Sequence, residues 1–296
     1  MYKCNLCPKM CNIDRDEKVG FCCVKNEIKI ARASLHFYEE PSISGINGSG
    51  AIFFSGCNLK CVFCQNMNIS NNAYGKYISV DRLSEIMLEL QEKNAHNINL
   101  VTPTMFIPLI KESIIKAKKM GLNIPIVYNS SGYESVDSLK TLSGLIDVYL
   151  PDFKYYSNDL GLKYSKVSNY SDYAKEALNE MYRQVGKCKF TKNGLIKSGM
   201  IVRHLMIPKE TNDTKCVLKY LHDTYGDNIY ISIMNQYTPP KGMMDNLALT
   251  IDDETYNNII DYALSIGINN AYCQLDGTVS ESFIPEFDLT GVEKKD

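Results

Sequence analysis

The sequence has little charge to spare. Lysine and arginine total 32 against 34 aspartates and glutamates, a formal net charge of −2. That balance gives no global attraction to nucleic acid or to an anionic membrane surface, so neither is expected as a partner. Long hydrophobic runs are also missing. No apolar stretch approaches the roughly 20 residues of a membrane-spanning helix. The opening Met1-Tyr-Lys-Cys-Asn-Leu-Cys7 lacks the apolar core of a secretory signal, so a cytoplasmic location is expected. There is no internal repeat and no low-complexity tract. What remains is an ordinary globular chain of 296 residues, 45% of them hydrophobic, enough to build one α/β barrel without a second domain.

Cysteine is abundant, and it is grouped. The 11 cysteines fall at 4, 7, 11, 22 and 23, at 57, 61 and 64, and singly at 188, 216 and 273. Grouped cysteines without a secretion signal read as metal sites rather than disulfides. Cys57, Cys61 and Cys64 form a C-x3-C-x2-C loop directly after the apolar run Ala51-Ile-Phe-Phe54. Three thiolates satisfy three irons of a cubane and leave the fourth open to a ligand. A zinc site would want a fourth nearby ligand, and the next cysteine is Cys188. Buried cysteines can serve as small hydrophobes, but three in eight residues after a strand favour the cluster. Cys4, Cys7, Cys11 and Cys22 offer four more thiolates, with Cys23 spare. Four suit a zinc site or a second iron–sulfur cluster, structural or electron-relaying in either case. Iron–sulfur is preferred, because the chain already needs a cluster-loading environment. A cluster with an open iron is oxygen-sensitive, so an anaerobic setting is expected.

From residue 51 onward, apolar runs alternate with helical patterns. Strands are expected at 51–54, 97–101, 124–128, 145–150, 200–206, 229–234 and 268–273. Helices are expected at 81–93, 108–120, 172–184, 213–224 and 252–265. The alternation implies a parallel sheet with right-handed crossovers. Six or seven strands suggest a partial (β/α)6-type barrel, with a doubly wound open sheet as the rival. Residues 1–40 read as an appended cysteine-rich metal-binding segment, 41–275 as the barrel with a linker at 41–50, and 276–296 as a tail across the barrel face.

In such barrels, chemistry collects at the carboxyl ends of the strands. Each expected strand ends in polar residues: Thr102 and Thr104; Asn129, Ser130 and Ser131; Asp152 and Lys154; Asn235, Gln236 and Tyr237; Gln274 and Asp276. Arg203 and His204 lie inside an apolar strand. Their opposite pleat parity lets only one face the interior, and Arg203 is the choice. Bland readings stand beside these: an exposed Asp152–Lys154 pair in a turn, and a wall ion pair for Arg203. His36, Glu39 and Glu40 could face the active site, but a solvated loop is the preferred reading.

The loop Gly56–Asn66, the Asp152-Phe-Lys154 element and the strand Val202-Arg-His-Leu-Met-Ile-Pro208 resemble the radical S-adenosylmethionine (SAM) superfamily, and within it the activating enzymes of glycyl-radical enzymes. Glu39-Glu-Pro-Ser-Ile-Ser-Gly45, Ile98-Asn-Leu-Val-Thr-Pro-Thr104 and the N-terminal cysteines make the chain similar to an uncharacterised subgroup like pyruvate formate-lyase activating enzyme. The resemblance implies a [4Fe–4S] cluster on Cys57, Cys61 and Cys64, with SAM on the open iron and Phe63 near the adenine. It implies that Asp152, Lys154 and Arg203 contact SAM or a nearby cation, with Lys154 and Arg203 suited to its carboxylate and Asn129, Ser130 and Ser131 to its ribose or adenine. Two departures stand out. The family's Gly-Gly-Glu element is Thr102-Pro103-Thr104 here, and Met105 replaces a histidine frequent in the subgroup.

The resemblance implies a radical SAM oxidoreductase, fed by a flavodoxin- or ferredoxin-type reductant. Its deoxyadenosyl radical would take hydrogen from a protein or peptide, such as a glycyl-radical enzyme. A small molecule or RNA is the alternative substrate. A non-catalytic iron–sulfur carrier is the rival class, disfavoured because a carrier needs no polar cavity.

Overall fold

The computed structural model describes residues 3–240, 242, 245–274 and 284–294. The strands among them are β1 (Ile28–His36), β2 (Ser49–Phe54), β3 (Lys76–Ile78), β4 (Ile98–Val101), β5 (Ile126–Ser130), β6 (Val148–Pro151), β7 (Lys189–Phe190), β8 (Ile196–Leu205), β9 (Tyr230–Met234) and β10 (Ala271–Cys273). The helices are α1 (Pro41–Ser44), α2 (Met67–Ser70), α3 (Val80–Glu92), α4 (Ile107–Lys119), α5 (Val136–Lys140), α6 (Asn158–Ser165), α7 (Tyr170–Val185), α8 (Thr211–Tyr225) and α9 (Asp253–Ser265).

One sheet runs β10-β9-β8-β6-β5-β4-β2-β1-β3, with β7 paired to β8 off this path. The seven strands from β10 to β2 are parallel, while β1, β3 and β7 pair antiparallel. This is the mixed α/β fold with a mostly parallel sheet that the alternating pattern predicts.

The parallel strands are apolar on both faces because both are covered. Ile126, Tyr128, Tyr149, Met200 and Val202 join the large core beneath the helices. The alternate residues Val127, Val148, Leu150 and Ile201 pack with Ile43 and Ile196 in a small cluster on the inner face. Period-two alternation therefore decides what enters the barrel. On β8 it sends Arg203 inward, while His204 is buried outside, its ring nitrogens 2.8 Å from the Phe153 carbonyl and 3.0 Å from the Thr214 hydroxyl.

The helices follow the expected periodicity. Leu83, Ile86, Met87 and Leu90 form the buried stripe of α3, and Ser79 caps it by accepting from the Arg82 N–H at 3.1 Å. Short α5 and α6 lie in segments with too few turns to show a stripe.

Two expectations need correction. The segment 1–40 is not an appendage throughout: residues 28–36 are β1, paired with β2 from Ile30↔Phe54 to His36↔Ser49. Nor are residues 41–50 a plain linker, since they contain α1 and the start of β2. Of the tail, residues 284–294 run beside β1, where Ala33 N–H donates to the Thr290 carbonyl and Leu289 N–H to the Ala31 carbonyl. Asp276 lies outside the described residues.

Candidate functional site

The carboxyl ends of the parallel strands surround a cavity of about 420 Å³, within the range of small-ligand sites. Cys57, Cys61 and Cys64 line it from the loop after β2. The loop leaves the strand through Gly56 at φ 86°, where a Cβ would meet the Cys22 carbonyl oxygen at 2.6 Å. Only glycine tolerates both the torsion and the contact. Cys57 Sγ accepts from the Leu59 N–H at 3.4 Å, Cys61 Sγ lies 2.9 Å from Ser165 Oγ, and Cys64 Sγ lies 3.3 Å from Ser70 Oγ. Burial pushes the Cys57 thiol up to about 12, with the Cys61 thiol adding to the effect. Burial also raises Cys61, against Lys154 and Ser165.

Phe63 lines the cavity, held edge-on by Tyr164 and Tyr237 at ring distances of 6.4 and 6.0 Å. Asn66, just beyond Cys64, also faces the cavity, and its buried Oδ1 has no hydrogen-bond partner. Three sulfurs on one cavity wall, beside an unpaired acceptor and a lysine, are a donor set that fits a cluster with a small polar ligand bound to it.

Asp152 and Lys154 face the cavity at the end of β6. Lys154 Nζ donates to Asp152 Oδ2 at 2.5 Å, and the side chains are only 26% and 19% exposed. They are thus a sheltered pair rather than an open turn. Burial works against the lysine's charge, but Asp152, the Cys61 thiol and Tyr170 outweigh it and hold the ammonium well above its ordinary range. Tyr170 Oη accepts from the Lys154 N–H at 2.8 Å and lies 2.8 and 3.1 Å from the carbonyls of Ser131 and Asp152, pinning both loops.

Asn129, Ser130, Ser131 and Thr102 line the same cavity. Thr102 has φ 60°, an outlier for a β-branched residue. Two residues expected here are not in the wall. Thr104 is fully buried and donates to Glu134 Oε1 at 2.6 Å. Asn235 is buried, and its backbone N–H donates to Gln274 Oε1 at 2.8 Å. The pleat and the following 3₁₀ turn, Thr104–Phe106, carry Thr104 away from the interior. Glu134 is pushed up to about 7 by burial, against hydrogen bonds from Thr104, Ser130 and Tyr128.

Arg203 lines the cavity, and two of its guanidinium nitrogens are engaged by neighbouring carboxylates. Nε donates to Glu40 Oε1 at 2.7 Å and Nη2 to Glu40 Oε2 at 2.6 Å, while Nη2 also pairs with Glu39. Two carboxylates surround this one cation, the wall ion pair that stood as the alternative reading of Arg203. His36, Glu39 and Glu40 are not a solvated loop: all three line the cavity, and burial pulls His36 below its ordinary value. Sequence reasoning ranked the cavity second for these three because β1 went unread. The signal was there in Ile28-Lys-Ile-Ala-Arg-Ala-Ser-Leu35, a period-two strand running into Glu39.

Cys4, Cys7, Cys11 and Cys22 are not part of the cavity wall, though the Cys22 carbonyl packs against Gly56. Among the described residues, no three His, Cys, Asp or Glu side chains converge closely enough for a single metal ion, in either cysteine set.

The family profile of the radical SAM superfamily matches residues 51–221. An uncharacterized protein of Methanocaldococcus jannaschii is 34% identical over 248 residues, covering 80% of this chain; the chain spans 66% of that protein's length. Among solved structures, SuiB of Streptococcus suis bound to S-adenosylmethionine is similar with a TM-score of 0.53 at 11% identity, over 75% of this chain and 49% of that one. HydG, the FeFe-hydrogenase maturase of Carboxydothermus hydrogenoformans, gives 0.51 at 13% identity, over 73% and 50%. These two likenesses are of fold.

Proposed function

The chain belongs to the radical SAM superfamily, and from that premise we propose that it is a radical SAM enzyme acting on a C–H bond of a protein or peptide, with a glycyl-radical enzyme as the leading candidate substrate. The family implies a [4Fe–4S] cluster and SAM. When bound, they supply a one-electron cleavage whose carbon radical abstracts a hydrogen atom. The rest falls to the chain's own groups.

In this reading Cys57, Cys61 and Cys64 hold the cluster and no fourth side chain caps it. Lys154, kept charged by Asp152, binds the methionine carboxylate of SAM as a preoriented cation. Asn66 Oδ1 is an acceptor waiting for a donor. Asn129, Ser130 and Ser131 bind the ribose or adenine, and Phe63 offers the adenine a ring fixed by two tyrosines. The cavity keeps water from a radical that would react with any nearby C–H bond. The Glu39–Arg203–Glu40 group, which lines the same cavity as the cysteine loop, orients the substrate. Cys4, Cys7, Cys11 and Cys22 hold a second metal centre.

The observation that carries this reading is the meeting of the cysteine loop with the Asp152–Lys154 pair in one cavity. A peptide substrate is supported by SuiB, which shares the fold and in one structure is bound to its precursor peptide SuiA.

The test is anaerobic reconstitution with SAM and dithionite, assayed for 5′-deoxyadenosine, with Cys61→Ala as the inactive control. Deuterated cell extract, split into protein, RNA and small-molecule fractions, then identifies the substrate class. Deuterium entering deoxyadenosine from the protein fraction alone is the expected result. Transfer from small molecules or RNA instead would overturn the peptide reading.

A further inference from the structure

We propose that Tyr155 and Ser165 are positioning residues for the cluster: Tyr155 holds the Ser165 hydroxyl so that it donates a hydrogen bond to the sulfur of Cys61, and this raises the cluster's reduction potential. The inference rests on the radical SAM reading and adds what sets the site's affinity for its electron.

The three cavity sulfurs differ in their surroundings. Cys57 Sγ faces a backbone donor, the Leu59 N–H at 3.4 Å. Cys64 Sγ lies 3.3 Å from the Ser70 hydroxyl, on the four-residue helix α2. Cys61 Sγ has the closest of these partners, Ser165 Oγ at 2.9 Å. Behind that serine stands a second hydroxyl, Tyr155 Oη, 2.8 Å from Ser165 Oγ.

Counting protons gives this chain its direction. A thiolate bound to iron has no proton and can only accept. Ser165 has one hydroxyl proton, so that proton points to the sulfur. Its oxygen is then an acceptor, and the Tyr155 hydroxyl donates to it. Burial, with the Cys61 charge adding to it, raises the Tyr155 hydroxyl well above its ordinary range, so Tyr155 stays a donor. Both residues are fully buried, which leaves no water to take either place.

The fold fixes the pair from two sides. Ser165 ends α6, where Lys166 turns to φ 60° and its N–H caps the Gly161 carbonyl. The end of this helix is stitched to the cysteine loop: Lys60 N–H donates to the Ser165 carbonyl at 3.3 Å and Val62 N–H to the Tyr164 carbonyl at 2.9 Å. These two bonds bracket Cys61, so its sulfur and the hydroxyl are held together. Tyr155 follows Lys154 out of β6. Its ring packs against Tyr170 and Tyr164 at ring distances of 5.2 and 6.2 Å.

Such a donor matters because reduction adds negative charge that the sulfurs share. A hydroxyl aimed at one sulfur favours the reduced form over the oxidised one, and hydrogen bonds to the sulfurs help set cluster potentials. In a buried site of low dielectric the effect is large, and a second hydroxyl polarising the first adds to it. Lys154, whose charge also bears on Cys61, acts in the same direction. An external single-electron donor of the flavodoxin or ferredoxin type loses the electron that the cluster gains. Ser165 and Tyr155 keep their protons throughout.

The test is an anaerobic redox titration of the reconstituted full chain, read by EPR and without SAM. The signal followed is the one absent from a Cys57/Cys61/Cys64→Ala variant. Ser165→Ala removes the donor, Tyr155→Phe removes the hydroxyl behind it, and Ser165→Thr keeps a hydroxyl in place. All three should load as much iron as wild type. Ser165→Ala should make reduction about tenfold less favourable, a midpoint about 59 mV lower for one electron. Tyr155→Phe should shift the midpoint the same way by less, and Ser165→Thr should bring it back toward wild type. Electron–nuclear double resonance on protein reconstituted in H2O and in D2O gives a second readout. One exchangeable-proton coupling, present in wild type, should vanish in Ser165→Ala. An unchanged or higher midpoint in Ser165→Ala, or an unchanged proton coupling, would overturn the proposal. If Ser165→Thr does not load iron, the other two variants decide. Failure of the radical SAM reading would look different: no deoxyadenosine from wild type, with the midpoint shift intact. No reducible cluster on Cys57, Cys61 and Cys64 would overturn both.

Discussion

Arg203 on β8 and Glu40, 163 positions earlier, hold each other through two hydrogen bonds of 2.7 and 2.6 Å on the cavity wall. Burial alone would push the Glu40 carboxyl up, but the charge and hydrogen bonds of Arg203 win and hold it below its ordinary range. Removing the cation strands Glu39 and Glu40 together. Arg203→Met should therefore cost about 3–5 kcal/mol, read as a lowered urea midpoint. Glu40→Gln, which leaves Glu39 to balance Arg203, should cost about 1–3 kcal/mol.

Lys154 and Asp152 act as a unit. Asp152→Asn or Lys154→Met should weaken SAM binding about 10- to 100-fold, the worth of one charge-assisted hydrogen bond. Iron content should stay unchanged. Equilibrium dialysis of SAM against the reconstituted variants, with iron analysis alongside, checks both halves.

Gly132 lets two site loops touch. It sits at φ 75°, and a Cβ would lie 2.2 Å from the Asp152 carbonyl oxygen. Neither backbone can yield without moving Asp152. Gly132→Ala should cost about 3 kcal/mol or more and should lower SAM affinity in whatever folded protein remains, by thermal melts and dialysis.

His204 gives the fold an acid limit. Burial pulls it down to about 4, against the Phe153 carbonyl and Asp152. Below its unfolded value of about 6.5 the unfolded chain binds a proton that the native ring refuses. Stability from this group is thus complete above about pH 6.5 and is lost as pH falls toward 4. His204→Gln should flatten the fall in melting temperature between pH 6.5 and 4.5, measured in the same buffers as wild type.

Most of this architecture was legible because parallel strands buried on both faces announce themselves as apolar runs, and the cysteine spacing announces a cluster. Alternation along β8 rightly separated Arg203 from His204. What escaped was non-local. The partner of Arg203 is set by where β1 delivers Glu39 and Glu40, and no spacing rule links positions 40 and 203. Thr104 looked like a strand-end ligand, yet a 3₁₀ turn takes it to Glu134. The edge strand β3 and the two-residue β7 are too short to carry a pattern. Nothing near Arg15 in sequence announced that it donates to the Met105 carbonyl, 90 positions away.

The central claim is that one iron of the cluster on Cys57, Cys61 and Cys64 has no protein ligand. Electron–nuclear double resonance on the reduced, reconstituted chain reads this directly, using SAM isotopically labelled at its amino nitrogen and carboxylate. The account predicts hyperfine coupling of both labels to the cluster in wild type, retained in the Cys7/Cys11→Ser variant. A fully loaded cluster with no coupling to either label would contradict it.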